Sequence, residues 1–239
     1  MNERSQSGID RTARAMAVSV PRRLLLVTGS ALSLFAATVA QGDVATAAAP
    51  QCYGRVVTVW GGPGNDTINA GSGNDVIAGL GGSDTIVGGG GNDIICGDDG
   101  DDYLVGGDGD DLIAGERGKD ALSGGNGNDR LRGFWGNDVL WGGAGNDSLE
   151  GGDGHAWSLN WGNDRLYGGT GADTMRGSAG NDVLTSPVDN GKSDLLSGFA
   201  GADHLNARDG RANDRVHGGL GRDFCRGDRG EPLGSCELR

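Results

Sequence analysis

The chain repeats itself every nine residues, and each repeat carries an Asp at its sixth position. The first copy is GGPGNDTIN at residues 61–69, and ten copies run without interruption to residue 150. Seven looser copies follow, and the last, GGLGRDFCR, ends at residue 226. So short and strict a period is typical of a solenoid, in which each copy stacks on its neighbours. The seventeen position-6 residues are Asp66, Asp75, Asp84, Asp93, Asp102, Asp111, Asp120, Asp129, Asp138, Asp147, Asp164, Asp173, Asp182, Asp194, Asp203, Asp214 and Asp223.

The two parts of each copy favour different backbone conformations. Positions 1 to 6 are rich in Gly, Asn and Asp, which accept positive φ angles and tight turns. Position 4 is Gly in fifteen of the seventeen copies. Positions 7 to 9 form a three-residue alternation with an aliphatic centre, from Ile68 and Ile77 to Leu140 and Leu149. This pattern predicts an all-β fold with one inward side chain per short strand.

The composition narrows the kind of ligand that such a fold could take. Gly accounts for 50 of 239 residues, and the formal net charge is −13. The Gly residues have no three-residue period, which excludes a collagen helix, and the negative charge argues against nucleic acid as a partner. Carboxylates stacked at the strand spacing of about 4.8 Å repel one another by roughly 1 kcal/mol per pair in water. A ladder of such groups favours a cation between its members.

The repeat resembles the haemolysin-type calcium-binding repeat, also called the RTX nonapeptide, GGxGxDxUx. The resemblance covers residues 61–226, and the layout is similar to that of secreted actinobacterial proteins of this repeat class. It implies a parallel β-roll, a β-solenoid in which two copies form one turn and copies n and n+2 stack on the same edge. It also implies several calcium ions between stacked loops, held by position-6 carboxylates and by backbone carbonyls of the Gly-rich turn.

The metal ligands implied in this way belong to the first thirteen copies. Asp and Gly carbonyls supply only hard oxygen atoms, which Ca²⁺ prefers, and we expect metal binding and folding to be one event. The ligands are expected to be Asp66, Asp75, Asp84, Asp93, Asp102, Asp111, Asp120, Asp129, Asp138, Asp147, Asp164, Asp173 and Asp182.

Two parts of the array predict weaker sites. Copy seven places Arg117 and Lys119 in its loop. After residue 186 the chain carries nearly as many basic as acidic residues, and Lys192 and Ala212 replace the position-4 Gly. We expect many of the later Asp residues to pair with nearby Arg side chains.

The segments outside the repeats predict an exported protein. Arg residues precede an apolar run at residues 24–40, and small residues follow, as in a secretory signal peptide over residues 1–49. A single membrane anchor is the alternative. The remaining organisation is an N-terminal cap at 50–60, regular repeats at 61–150, degenerate repeats with insertions at 151–226 and a C-terminal cap at 227–239.

Four cysteines remain after the predicted signal peptide: Cys52, Cys96, Cys225 and Cys236. An even number in an exported chain indicates disulfides, and three pairings are possible. We favour Cys52–Cys96 and Cys225–Cys236, because each pair lies near one end of the repeat array.

Aromatic residues gather around an eight-residue insertion in copy eleven. The insertion contains Trp157 and Trp161, and copy nine, which shares its edge, contains Trp135 and Trp141. Position 9 of these two copies places Trp141 beside Tyr167. These residues could pack locally, or they could form an aromatic flank that binds a glycan or another surface protein.

No catalytic motif accompanies the repeats. His155, His204 and His217 are scattered, and neither HExxH nor GxSxG occurs. We therefore expect no enzymatic activity. Two functions remain open: a secreted calcium-binding protein with a structural or adhesive role, and a glycan-binding or polysaccharide-acting solenoid that uses the aromatic flank.

Overall fold

The computed structural model describes residues 50–152, 162–186, 192–208, 213–230 and 233–236, and the regular elements in these ranges are strands. The predicted signal peptide lies outside the described residues. No helix of membrane-spanning length and apolarity occurs in the described ranges. The strands are β1 (Gln51–Cys52), β2 (Arg55–Val56), β3 (Val59–Trp60), β4 (Thr67–Ser72), β5 (Val76–Gly81), β6 (Thr85–Gly90), β7 (Ile94–Asp99), β8 (Tyr103–Asp108), β9 (Leu112–Arg117), β10 (Ala121–Asn126), β11 (Arg130–Trp135), β12 (Val139–Ala144), β13 (Ser148–Glu150), β14 (Arg165–Thr170), β15 (Thr174–Ala179), β16 (Val183–Thr185), β17 (Leu195–Ala200), β18 (His204–Asn206), β19 (Arg215–Leu220), β20 (Phe224–Arg226) and β21 (Leu233–Gly234).

Successive copies alternate between two parallel sheets. The first sheet contains the nine even-numbered strands from β4 to β20, and the second contains the ten odd-numbered strands from β3 to β21. Leu122 of β10 pairs with Leu104 of β8 on one side and with Leu140 of β12 on the other, so neighbours within a sheet are two copies apart. This register confirms the predicted parallel β-roll with two copies per turn.

Most strands are longer than the three residues predicted at positions 7 to 9. They span six residues, because the ladder continues into positions 1 to 3 of the next copy. In β8, Leu104 at position 8 and Gly106 at position 1 of the following copy are both buried. The second inward position has no side chain, which is why hydrophobicity alone does not reveal it.

The position-8 side chains form the core between the two sheets. Ile77, Ile95, Leu122 and Leu149 are fully buried, and the column continues through Leu166 and beyond. Each inward side chain packs on the equivalent side chain of the next turn, as the alternation predicts.

Both predicted disulfides are present, Cys52–Cys96 and Cys225–Cys236. The first joins the antiparallel β1–β2 hairpin to the outer face of the second sheet, where Cys52 packs with Ala78, Cys96 and Ala114. The segment 50–57 therefore covers a side of the roll, while β3 is the strand that ends the second sheet. The second disulfide joins the core residue Cys225 to the segment that contains β21.

Candidate metal-binding loops

The loops at positions 4 to 6 form two edges of the roll. We call the edge formed by the odd-numbered copies, which precede strands of the first sheet, the odd edge, and the other the even edge. Adjacent loops on one edge approach so closely that a side chain at position 4 would contact the neighbouring loop in most copies. Gly91 has a φ of 112°, and a Cβ atom there would lie 2.5 Å from the carbonyl oxygen of Gly73. This packing aligns the position-6 Asp residues in two columns.

One carboxylate oxygen of each column member links neighbouring turns. The backbone N–H of Asp84 donates to Oδ1 of Asp102 at 2.8 Å, and that of Asp102 donates to Oδ1 of Asp120 at 2.9 Å. On the odd edge the ladder continues to Asp223, and it crosses the insertion where Asp138 donates to Asp164. On the even edge it runs from Asp75 to Asp214. The position-6 Asp is therefore a structural element of the loop as well as a candidate ligand.

The other oxygen, Oδ2, points into the roll. Fifteen of the position-6 Asp residues are buried. Buried polar atoms in proteins nearly always have a hydrogen-bond partner. A column of Oδ2 atoms without such partners therefore indicates that a bound group interacts with them. Oδ2 is buried without a hydrogen-bond partner in Asp84, Asp93, Asp102, Asp111, Asp120, Asp129, Asp138, Asp147, Asp182, Asp203 and Asp223.

Burial raises the pKa values of these carboxyl groups. Loss of solvent raises the pKa of Asp102 and Asp129 to about 6, and that of Asp120 and Asp164 to about 8. The backbone N–H that each Oδ1 accepts opposes the shift, and a neighbouring carboxylate, such as Asp138 beside Asp120, adds to it. The ionised form of these groups is therefore costly at neutral pH unless a cation lies nearby.

The donor atoms around Oδ2 fit a calcium ion. A Cβ atom at Gly142 would lie 2.5 Å from Oδ2 of Asp147 and 2.5 Å from the carbonyl oxygen of Gly168. A carboxylate oxygen thus shares a small space with a backbone carbonyl of the next copy on that edge. No three His, Cys, Asp or Glu side chains converge on one point within the described ranges. A cation here would be held by Asp carboxylates together with backbone carbonyls, and such hard oxygen atoms suit Ca²⁺.

A second hydrogen-bond ladder, formed by the position-5 side chains, was not predicted from the sequence. Oδ1 of Asn74 accepts the backbone N–H of Asn92 at 2.8 Å, and Oδ1 of Asn92 accepts that of Asp110 at 3.0 Å. This ladder runs in the direction opposite to that of position 6. Asn or Asp is frequent at position 5, and this is the only trace of the ladder in the sequence. It does not reveal the ladder, because these residues are common in turns for other reasons.

The late residues Asp203 and Asp223 repeat the arrangement of the earlier copies. Asp203 and Asp223 are buried, Oδ1 of Asp223 accepts the backbone N–H of Asp203 at 3.1 Å, and Oδ2 of each has no hydrogen-bond partner. Asp194 is different, because the hydroxyl of Ser186 donates a hydrogen bond to its Oδ2.

The basic loop of copy seven is directed outwards. The guanidinium of Arg117 pairs with Asp99 at 3.5 Å and lies 5.2 Å from the ring centre of Trp135. Both charged groups of that pair are mostly exposed to solvent. Oδ2 of Asp120, in the same copy as Arg117, is buried without a hydrogen-bond partner. Arg117 therefore does not replace a cation at this position.

Two of the four Trp residues of the predicted aromatic flank, Trp135 and Trp141, lie among the described residues. Trp141 of β12 stacks on Tyr167 of β14 with ring centres 6.1 Å apart, which confirms that these two are neighbours. Trp135, however, belongs to β11 in the second sheet, whereas Trp141 belongs to the first sheet. Trp157 and Trp161 lie outside the described residues. Trp135 and Trp141 therefore belong to different sheets, and the flank as a whole stays a prediction.

Comparison with known families agrees with this geometry. The family model described as RTX calcium-binding nonapeptide repeat (4 copies) matches residues 60–95, 97–131, 132–155, 159–186, 188–211 and 207–231. A comparison with curated proteins found no significant match. The family matches cover the whole repeat array, including the degenerate copies after the insertion.

Proposed function

The chain belongs to the family of RTX calcium-binding nonapeptide repeat proteins, and from this premise we propose that it is a secreted protein that folds on binding several calcium ions. Its role in this proposal is structural or adhesive, with no enzymatic activity. The supporting observation is the column of buried Oδ2 atoms without hydrogen-bond partners. The candidate ligands are the position-6 Asp residues whose Oδ2 atoms are buried in this way.

The burial of these carboxylates explains why calcium and folding should be coupled. In the unfolded chain each carboxylate is solvated by water, whereas in the roll Asp120 and Asp138 lose that solvent. A calcium ion compensates for the lost solvation only when the loops are stacked. Calcium therefore binds the folded state much more tightly than the unfolded state, and binding shifts the equilibrium towards the roll.

Circular dichroism of the exported chain tests this proposal. We expect a β spectrum in excess calcium, and the spectrum of an unfolded chain after removal of calcium on a chelating resin. Return of calcium should restore the β spectrum, while magnesium should not, because Mg²⁺ requires a more rigid octahedral site with retained water. A β spectrum that persists at neutral pH without calcium would contradict the proposal.

Export is tested separately. The proposed signal peptide at residues 1–49 should be missing from protein recovered from the culture medium, which N-terminal sequencing would show. Intact chain that remains in the membrane fraction would favour an anchor instead.

A glycan or another surface protein as partner is the second candidate, and Trp141 is the observation that favours it. Its side chain remains 41% exposed although it stacks on Tyr167. Exposed aromatic rings of this kind are common at binding surfaces. A pull-down with a cell-wall polysaccharide, followed by an assay for released product, separates glycan binding and glycan cleavage from a purely structural role.

A further inference from the structure

The residue at position 1 of each copy lies directly beside the Oδ2 atom of its own position-6 Asp. At Gly61 a Cβ atom would lie 2.6 Å from Oδ2 of Asp66 and 2.7 Å from the carbonyl oxygen of Gly79. Gly142 has the same relation to Asp147 and Gly168. A side chain at position 1 would therefore occupy the space that these two oxygens border.

Three copies carry a side chain at this position. Ser186 is fully buried, and its hydroxyl donates a hydrogen bond to Oδ2 of Asp194, whereas Oδ2 of Asp129 and Asp147 on the same edge is buried without a hydrogen-bond partner. Ala207 is fully buried in the core, and Ala70 is half-buried against it. Both therefore carry a methyl group at the position where a Cβ atom in the Gly copies would contact Oδ2 closely.

These exceptions all fall on one edge. On the odd edge position 1 is Gly in every copy: Gly61, Gly79, Gly97, Gly115, Gly133, Gly151, Gly177, Gly198 and Gly218. On the even edge Gly occurs only in the middle of the array: Gly88, Gly106, Gly124, Gly142 and Gly168. Ala70 precedes this series, and Ser186 and Ala207 follow it.

We propose that the position-1 residue decides which copies hold calcium, so that the two edges are loaded unequally. The odd edge binds calcium from copy three to copy seventeen; in copy one, Oδ2 of Asp66 already accepts the backbone N–H of Gly62 at 2.6 Å. The even edge binds it in copies four to twelve and is closed at both ends, by Ala70 on one side and by Ser186 and Ala207 on the other. At copy fourteen the Ser186 hydroxyl stands in place of the cation.

This inference rests on the proposed function, and it explains why Asp can be present where no calcium binds. Oδ1 of Asp194 accepts the backbone N–H of Asp173 at 2.7 Å, and Oδ1 of Asp214 accepts that of Asp194 at 2.8 Å. The hydrogen-bond ladder thus needs an Asp in the closed copies too. The presence of the Asp therefore marks a turn of the roll, and a cation site additionally requires Gly at position 1.

Substitutions in both directions test the proposal, with bound calcium per chain measured by equilibrium dialysis and elemental analysis. Gly142→Ser should lose about one calcium ion, because its hydroxyl would satisfy Oδ2 of Asp147. Ser186→Gly should gain about one, because it removes the internal donor to Asp194. Gly90→Ser is the matched control: its Cβ atom would have no heavy atom within 4 Å, and its calcium content should equal that of the wild type.

Each outcome has a definite meaning. If Gly142→Ser does not fold, as judged by circular dichroism, Ser186→Gly still decides the question, because it adds no atoms to the roll. Calcium contents equal to the wild type in both Gly142→Ser and Ser186→Gly overturn the inference while leaving the proposed function intact. A wild-type chain that binds no calcium overturns the proposed function itself.

Discussion

A position-6 aspartate has two separate tasks, one for each of its carboxylate oxygens. In Asp129, Oδ1 accepts the backbone N–H of Asp111 at 2.9 Å, whereas Oδ2 is buried without a hydrogen-bond partner. The first contact joins two turns of the even edge, and the second atom is available to a cation. Substitutions that remove one task and keep the other can therefore distinguish them.

Asp129→Asn keeps an oxygen that can accept from Asp111 but removes the negative charge. In excess calcium we expect this variant to be less stable than the wild type, because one ligand is weakened. Asp129→Ala should be less stable still, by about 1–3 kcal/mol, because it also leaves the N–H of Asp111 without an acceptor. Urea unfolding in calcium measures both, and an Asn variant as stable as the wild type would show that Oδ2 is not a ligand.

The position-6 Asp and its chemistry can be predicted from the sequence, because a nine-residue period is visible without coordinates. The division of labour between Oδ1 and Oδ2 cannot. It depends on the distance from the carboxylate of Asp102 to the backbone N–H of Asp84, eighteen residues earlier, and that distance follows from the register. The role of Gly142 is hidden for the same reason, since Gly occurs at most loop positions for conformational reasons.

The N-terminal hairpin β1–β2 differs in structure from the repeats that it covers. It is antiparallel, it lies on the outer face of the second sheet, and the Cys52–Cys96 disulfide holds it there. Burial raises the pKa of Tyr53, in the turn of this hairpin, to about 12, and the nearby Arg132 guanidinium partly opposes that shift. The hairpin thus reaches across several turns of the roll.

Removal of this disulfide should cost more stability than removal of the C-terminal one. The cysteines are 44 residues apart in the first and 11 apart in the second. The chain-entropy model assigns about 4 kcal/mol to the longer loop and about 3 kcal/mol to the shorter. Urea unfolding in calcium of Cys52→Ala/Cys96→Ala and of Cys225→Ala/Cys236→Ala compares them. The reverse order would mean that the hairpin contributes little to the folded state.

The disulfide pairing could be predicted from the positions of the cysteines in the chain, but the place of the hairpin could not. Residues 50–57 carry no repeat, so no period predicts their register. Their site is determined by the small outward residues Ala78, Cys96 and Ala114, which leave room for Val57 between apolar neighbours such as Val76 and Ile94. Strand length could not be predicted either. β8 continues past position 9 to a second buried position at Gly106, which has no side chain and so gives no hydrophobic signal.

The buried carboxylates of the roll titrate over one range of pH, so their contributions to folding stability change together. Burial raises the pKa of Asp203 to about 6, that of Asp138 and Asp182 to about 7, and that of Asp120 to about 8. Both columns extend through the length of the roll, so the protonation of the molecule and its folding are linked. Protons and calcium are alternative ways of compensating the same buried charge.

The folded chain without calcium should therefore be most stable in acid. The ordinary pKa of Asp is 3.8, and that of Asp120 in the roll is about 8, so the folded state binds protons more tightly than the unfolded state. Stability of the calcium-free roll is present below about pH 4 and is lost as pH rises through about 6 to 8, in line with the raised pKa values.

Circular dichroism of the metal-free protein between about pH 4 and pH 8 measures the loss of folded structure. A calcium titration at each pH gives a second measurement, the calcium concentration at which half of the chain is folded. Since calcium displaces protons from the same oxygens, the calcium concentration needed for folding should fall as pH rises from about 5 to about 8. A metal-free roll that gains stability as pH rises would show that its buried carboxylates do not limit folding.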